Sequence, residues 1–152
     1  MGALSEKHWK DACDEYKKRL SGSVSVSEIQ LKEERLSQGA SDAEIKKALD
    51  AEADRIIEKI PRRAYVVPLC IEGRQFSSEA LASKLDDAQI SGKSDICFII
   101  GSSHGLSDRV KALADLKLSM SLLTFPHQLA RVMLYETVYR CFSILAGSKY
   151  HK

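Results

Sequence analysis

Several familiar chemistries are missing from this 152-residue sequence, and each gap removes a class of function. The first residues, MGALSEKHWKDAC, contain no apolar core of a signal peptide, and no apolar run approaches the roughly 20 residues of a membrane span. A cytoplasmic protein without a membrane partner is the expectation. Four cysteines, at positions 13, 70, 97 and 141, show none of the paired spacing that ligates a metal, and three lie inside apolar segments. They read as reduced, buried thiols, and no metal site is expected. A net charge of only +2 excludes a strongly basic nucleic-acid binder, though not a local basic patch. No pair of carboxylates and no Ser-His-Asp order stands out, which leaves a hydrolase poorly supported. The glycine-bearing loop described below lacks both the lysine of a P-loop and the spacing of GxGxxG. There is no internal repeat, low-complexity tract or clear linker.

What remains is an ordinary globular composition, 44% apolar and 29% charged. The length suits a single domain over residues 1–152 with a core of its own.

Prolines and caps punctuate the chain. Glu6 to Leu20 reads as a helix with Trp9, Cys13, Tyr16 and Leu20 on one face. Its Lys10, Lys17, Lys18 and Arg19 are either a phosphate-facing patch or a solvated face balanced by Asp11, Asp14 and Glu15. Val24, Val26, Ile29 and Leu31 alternate with polar residues, predicting a half-buried strand. Lys32 to Ala40 is a charged loop. Ser41 and Glu44 form a capping box for a helix that carries Ile45, Leu49, Ala53, Ile56 and Ile60 and stops at Pro61. Ala64 to Ile71 is continuously apolar, as a strand covered on both faces of a parallel sheet should be, with Pro68 marking an end or an edge. Glu72-Gly73-Arg74 reads as a turn. Ser77 or Ser78 caps a helix with Leu81 and Leu85 inward. Asp95 to Ile100 is the next strand. Ser107 caps a short helix, Leu116 to Phe125 is a short strand and then a loop, and Pro126 opens a helix of about 21 residues ending at Gly147. Alternating helices and apolar strands mean an α/β fold with a mostly parallel sheet.

The stretch Ser94 to Arg140 carries most of the functional signal. The strand Ile96 to Ile100 runs straight into Gly101-Ser102-Ser103-His104-Gly105. Strand ends that open into glycine-bearing loops are where α/β proteins bind ligands, but a tight turn without a ligand fits the same residues. The weakly charged segment Met120 to Phe125 is either a supplier of backbone groups to a purine ring or plain core. His127, in the first turn of the long helix, stands where helix amides point outward, or is a surface histidine. Arg131, one turn on, suits a phosphate or a cofactor carboxylate, or a salt bridge. Tyr150 and His151 close the chain.

FIIGSSHGLSDRV, LTFPHQLARVMLYETVYRCFSILAG and the terminal SKYHK together resemble the RlmH family of SPOUT methyltransferases. GALSEKHWKDACDEYKKRL and AYVVPLCIEGRQFSSEALASKL extend the resemblance over nearly the whole chain. It implies an α/β knot, with the C-terminal part threaded into a trefoil, and a homodimer with the long helix at its interface. It implies methyl transfer from S-adenosylmethionine to N3 of a pseudouridine in large-subunit (23S) ribosomal RNA, with the ribosome as partner. Leu69, Gly101, Met120, Ser121, Leu122, Leu123, Thr124 and Phe125 match the cofactor residues. His127, Arg131, Tyr150 and His151 are the implied catalytic candidates. Two departures stand out: Ser102 replaces a second glycine, and the family's first apolar strand is absent ahead of Gly2. A catalytically impaired dimer that only binds RNA or the ribosome is the alternative, and an unrelated α/β ligand-binding or signalling domain a third reading.

Overall fold

A computed structural model describes residues 6–148. Its elements, in chain order, are α1 (Lys7–Leu20), α2 (Asp42–Lys59), β1 (Tyr65–Arg74), α3 (Ser78–Ile90), β2 (Ile96–Ile99), α4 (Asp108–Lys111) and α5 (His127–Leu145). The described residues divide into two compact units, one built from 29–75 and 94–127, the other from 6–28, 76–93 and 128–148.

The first unit holds the sheet. β1 and β2 pair in parallel from Tyr65↔Ile96 to Pro68↔Ile99. Val66, Val67 and Pro68 are buried in succession, as a strand covered on both faces requires. On the other edge of β1, Leu118 forms parallel bridges to both Leu69 and Arg74. The Val66 carbonyl accepts the Asp115 N–H at 2.9 Å, and the Val66 N–H donates in turn to the Asp115 carboxylate at 2.8 Å. Ala53 and Ile56 of α2 close over Val66, Ile99, Leu106 and Val110. Each large side chain so buried is worth roughly 1.5–3 kcal/mol.

Local chemistry sets the helix ends. Ser41 and Glu44 make the capping box, the Ser41 N–H reaching the Glu44 carboxylate at 2.8 Å. Ser77 caps α3 by accepting the Ala80 N–H at 3.2 Å. Pro126 stands immediately before α5.

In the second unit, α3 turns Leu81, Ala82, Leu85 and Ala88 inward, and α1 buries Cys13 and Leu20. The Cys141 thiol on α5 reaches the Ser78 carbonyl at 3.8 Å. Its burial pushes the thiol up to about 11.

Three expectations are corrected. Residues 24–31 form no strand; Val26 and Ile29 are exposed. A strand needs a ladder partner, and here the polar Glu28 is the anchored residue. Its carboxylate takes Lys17 at 2.7 Å, Arg131 at 2.9 Å and the Tyr135 hydroxyl at 2.8 Å. Glu72-Gly73-Arg74 is not a turn but the end of β1. Arg74 exchanges backbone hydrogen bonds with Lys117 (2.9 Å) and Ser119 (3.0 Å). Gly73 permits this approach, because a Cβ there would stand 2.7 Å from the Leu118 carbonyl carbon and 2.8 Å from the Ser119 nitrogen. Pro68 ends the pairing with β2, not β1 itself. The absent first strand concerns chain ahead of residue 6, outside the described residues.

Candidate functional site

The parallel register decides what meets at the carboxyl end of the sheet. Pro68 pairs with Ile99 as the last pair of the β1–β2 ladder, and Gly101 lies two residues beyond Ile99. Leu69 also bridges Leu118, so 119–125 departs from the same end. The end of the β1–β2 ladder, the approach to Gly101 and the approach to Met120 therefore neighbour one another in the first unit, while β1 itself runs on to Arg74; open α/β sheets hold ligands beyond such strand ends.

Gly101 is buried, and its surroundings leave no room for a side chain. A Cβ on it would sit 2.3 Å from the Gly105 oxygen and 2.5 Å from the Gly105 carbonyl carbon. The two glycines close a narrow loop, with Ser102 N–H donating to the Gly105 carbonyl at 3.1 Å and Gly105 N–H to the Ser102 carbonyl at 2.9 Å. Gly105 carries φ +86, which a glycine adopts without strain. Ser102 sits at ordinary φ, so its replacement of a glycine introduces no backbone strain.

Glu33, from the charged stretch before α2, anchors this loop. Its Oε1 accepts the Ser103 N–H at 3.1 Å and the Ser103 hydroxyl at 2.9 Å. Burial works against its charge, but the Ser103 bonds and the charge of His127 outweigh that and hold the carboxyl below its ordinary range. At the far side, the Ser107 hydroxyl donates to the Asp50 carboxylate at 2.9 Å, and Arg109 pairs with Asp54 at 2.8 Å.

Residues 120–125 have neither helix nor strand. The Ser119 hydroxyl donates to the Ser121 carbonyl at 3.1 Å, and the Ser121 hydroxyl accepts the Leu123 N–H at 3.0 Å. Leu122 and Leu123 turn outward, 76% and 70% exposed. Met120, Ser121 and Phe125 are half-buried, and Thr124 is exposed. His127, half-buried, is the first residue of α5.

Arg131 falls in the second unit, its side chain 11% exposed and engaged by Glu28. Lys17 and Arg19, candidates for a phosphate-facing patch, are engaged by Glu28 and Glu15. Tyr150 and His151 lie outside the described residues. Glu33 was not legible as a site residue: its partner Ser103 is 70 positions away, and nothing in Lys32 to Ala40 distinguishes it from its charged neighbours.

No helix among the described residues is long and apolar enough to cross a membrane. Residues 1–151 match the family model described as "Predicted SPOUT methyltransferase". The chain is 49% identical over 152 residues to the ribosomal RNA large subunit methyltransferase H of Streptococcus thermophilus CNRZ 1066, covering all of this chain and 96% of that protein. The corresponding protein of strain LMD-9 gives the same identity and coverage. A protein of Methanococcus maripaludis strain C5 is 45% identical, again over 100% of this chain and 96% of its own length. The chain belongs to the SPOUT methyltransferase family, among the ribosomal RNA large subunit methyltransferase H proteins.

Proposed function

We propose that this enzyme transfers a methyl group from S-adenosylmethionine to N3 of a pseudouridine in 23S ribosomal RNA. In this reading the 152 residues work as one SPOUT domain with a C-terminal trefoil knot. It acts as a cytoplasmic homodimer on the ribosome. The observation that supports the proposal is that Leu69 bridges Leu118 one residue past the last β1–β2 pair, Pro68↔Ile99, so that Gly101 and Met120 each follow within two residues of that place.

These residues fit the cofactor. Leu122 and Leu123 stand outward as large apolar groups that an adenosyl moiety would cover. Leu69, inside β1, and Met120 add apolar surface, Gly101 keeps the loop backbone close, and Ser121, Thr124 and Phe125 complete the proposed lining. When bound, the cofactor supplies an electrophilic methyl carbon on a sulfonium.

The protein's task is then to take a proton from N3 and to stabilise the charge left on the uracil ring. His127, Arg131, Tyr150 and His151 are the proposed catalytic residues. His127 accepts or relays the proton, and the outward amides at the start of α5 favour the negative charge left on the ring. Arg131 stabilises the developing anion, its guanidinium held by Glu28. Tyr150 and His151 complete the group.

The test uses ribosomes that lack the modification, methyl-labelled cofactor, and mass mapping of the RNA. Label on N3 of a single pseudouridine is expected. Arg131→Ala and His151→Ala should reduce methyl transfer more than cofactor binding. Absence of label with the intact chain refutes the proposal; unchanged rates in both variants remove those two roles.

A further inference from the structure

The loop from Gly101 to Ser107 has no regular secondary structure, yet side chains anchor both of its ends. Near its start, Ser103 gives both of its donors to one oxygen of Glu33, at 3.1 and 2.9 Å. At its end, Ser107 and Arg109 are tied to Asp50 and Asp54 of α2. The segment bearing Glu33 is itself fastened to α2. The Glu34 N–H donates to the Glu52 carboxylate at 2.8 Å, and the Glu34 carboxylate meets Arg55 at 2.6 Å. Glu52 is 3% exposed, a buried acid whose placement fixes the backbone beside Glu33. A chain of polar contacts therefore runs from α2 through Glu34 and Glu33 to Ser103, and a second runs from α2 to Ser107.

We propose that Glu33 is a positioning residue for cofactor binding: by accepting both donors of Ser103 it carries the rigidity of α2 to the loop Gly101–Gly105 and holds that loop in its binding shape. The inference rests on the methyltransferase reading above, in which this loop lies against the cofactor. Glu33 touches no reacting atom, so its effect falls on cofactor affinity and not on the chemical step. A loop held in its bound shape loses less freedom on binding.

Both Ser103 bonds end on a single oxygen, which separates the acceptor from its charge. Glu33→Gln retains a carbonyl oxygen able to accept both donors, whereas Glu33→Ala removes it. The experiment is calorimetric titration of the full chain with S-adenosylmethionine for the wild type, Glu33→Gln and Glu33→Ala. It is accompanied by melting curves, by KM and kcat on unmodified ribosomes, and by amide hydrogen exchange at Ser103. Glu33→Ala should weaken binding about tenfold, the loss of one or two charge-assisted bonds that preorganise the loop. KM for the cofactor should rise by a similar factor with kcat nearly unchanged. Glu33→Gln should restore affinity to within about threefold of the wild type, and Ser103 exchange should accelerate only in the alanine variant.

Wild-type affinity in Glu33→Ala overturns the proposal, as does equal weakness in the glutamine and alanine variants. A fall in kcat at unchanged KM would assign Glu33 to chemistry instead and also overturn it. If the intact chain binds no cofactor, the methyltransferase reading fails and this role fails with it. The exchange measurement then still reports whether Glu33 anchors Ser103, and fast exchange in the wild type would deny the anchor itself.

Discussion

Replacing Gly101 by alanine tests the loop with a single carbon atom. The added Cβ would stand 2.3 Å from the Gly105 oxygen and 2.5 Å from its carbonyl carbon. Ordinary contact begins near 3.4 Å, so the backbone at Gly105 must retreat by roughly 1 Å. No flexible side chain can absorb the displacement, because the obstructing atoms are main chain. The retreat breaks or stretches the two Ser102–Gly105 hydrogen bonds, worth about 0.5–1.5 kcal/mol each. Overpacking elsewhere costs about 1–3 kcal/mol, so a loss near 2 kcal/mol is the expected size. For a chain of this length that lowers Tm by about 4–8 °C. Cofactor affinity should fall further than the melting point suggests, by about tenfold to a hundredfold, because the displaced atoms belong to the proposed binding loop. Gly22→Ala is the control, since a Cβ there meets nothing within 4 Å. Scanning calorimetry and titration with S-adenosylmethionine read both quantities. A Gly101→Ala chain that melts and binds like the Gly22→Ala control would refute the steric account.

Other perturbations have equally definite outcomes. Glu28→Ala removes the carboxylate that engages Arg131, which is 11% exposed, and the acceptor of Tyr135; a loss of about 2 kcal/mol or more is expected in urea unfolding, and none would show the cluster to be energetically idle. Leu85→Ala empties a fully buried position on α3 and should cost about 2–5 kcal/mol by the same assay. The Glu33 carboxyl is held below its ordinary value of 4.5, so its contribution to stability is complete above that pH and is lost as pH falls through the lower folded value. The stability gap between the wild type and Glu33→Gln should therefore shrink below about pH 4.5; a gap that widens on acidification contradicts the sign. The Cys141 thiol, raised to about 11 by burial, should resist alkylation at pH 8 until the chain is unfolded.

What the sequence revealed was set by distance along the chain. Ser41 with Glu44, Ser77 and Ser107 were legible as caps because a cap's partner lies two or three residues away. The strand 64–71 was legible because burial on both faces leaves no polar residue to interrupt it. Glu72-Gly73-Arg74 misled because its residues are turn formers by local chemistry, while the Lys117–Ser119 backbone that makes them a strand is more than 40 positions away. The alternation from Val24 to Leu31 misled for the converse reason: a period of two promises a ladder, and among the described residues no strand supplies one. At the candidate site, Gly101 could be read as important but not why, since the obstacle to a side chain is the carbonyl of Gly105. Glu33 could not be read at all.

The pairing of β1 with the Asp115 region also governs how the chain is made. Val66 and Asp115 are 49 positions apart. At about 5–20 residues per second, a ribosome needs several seconds to deliver that partner after β1 has emerged. During that interval one edge of an apolar strand is without its ladder, a state prone to pairing with other chains. The loop-closing contact arrives late and over a long separation, which favours slow folding. Synthesis rate and chaperone supply should therefore influence the yield of this protein more than its modest size suggests.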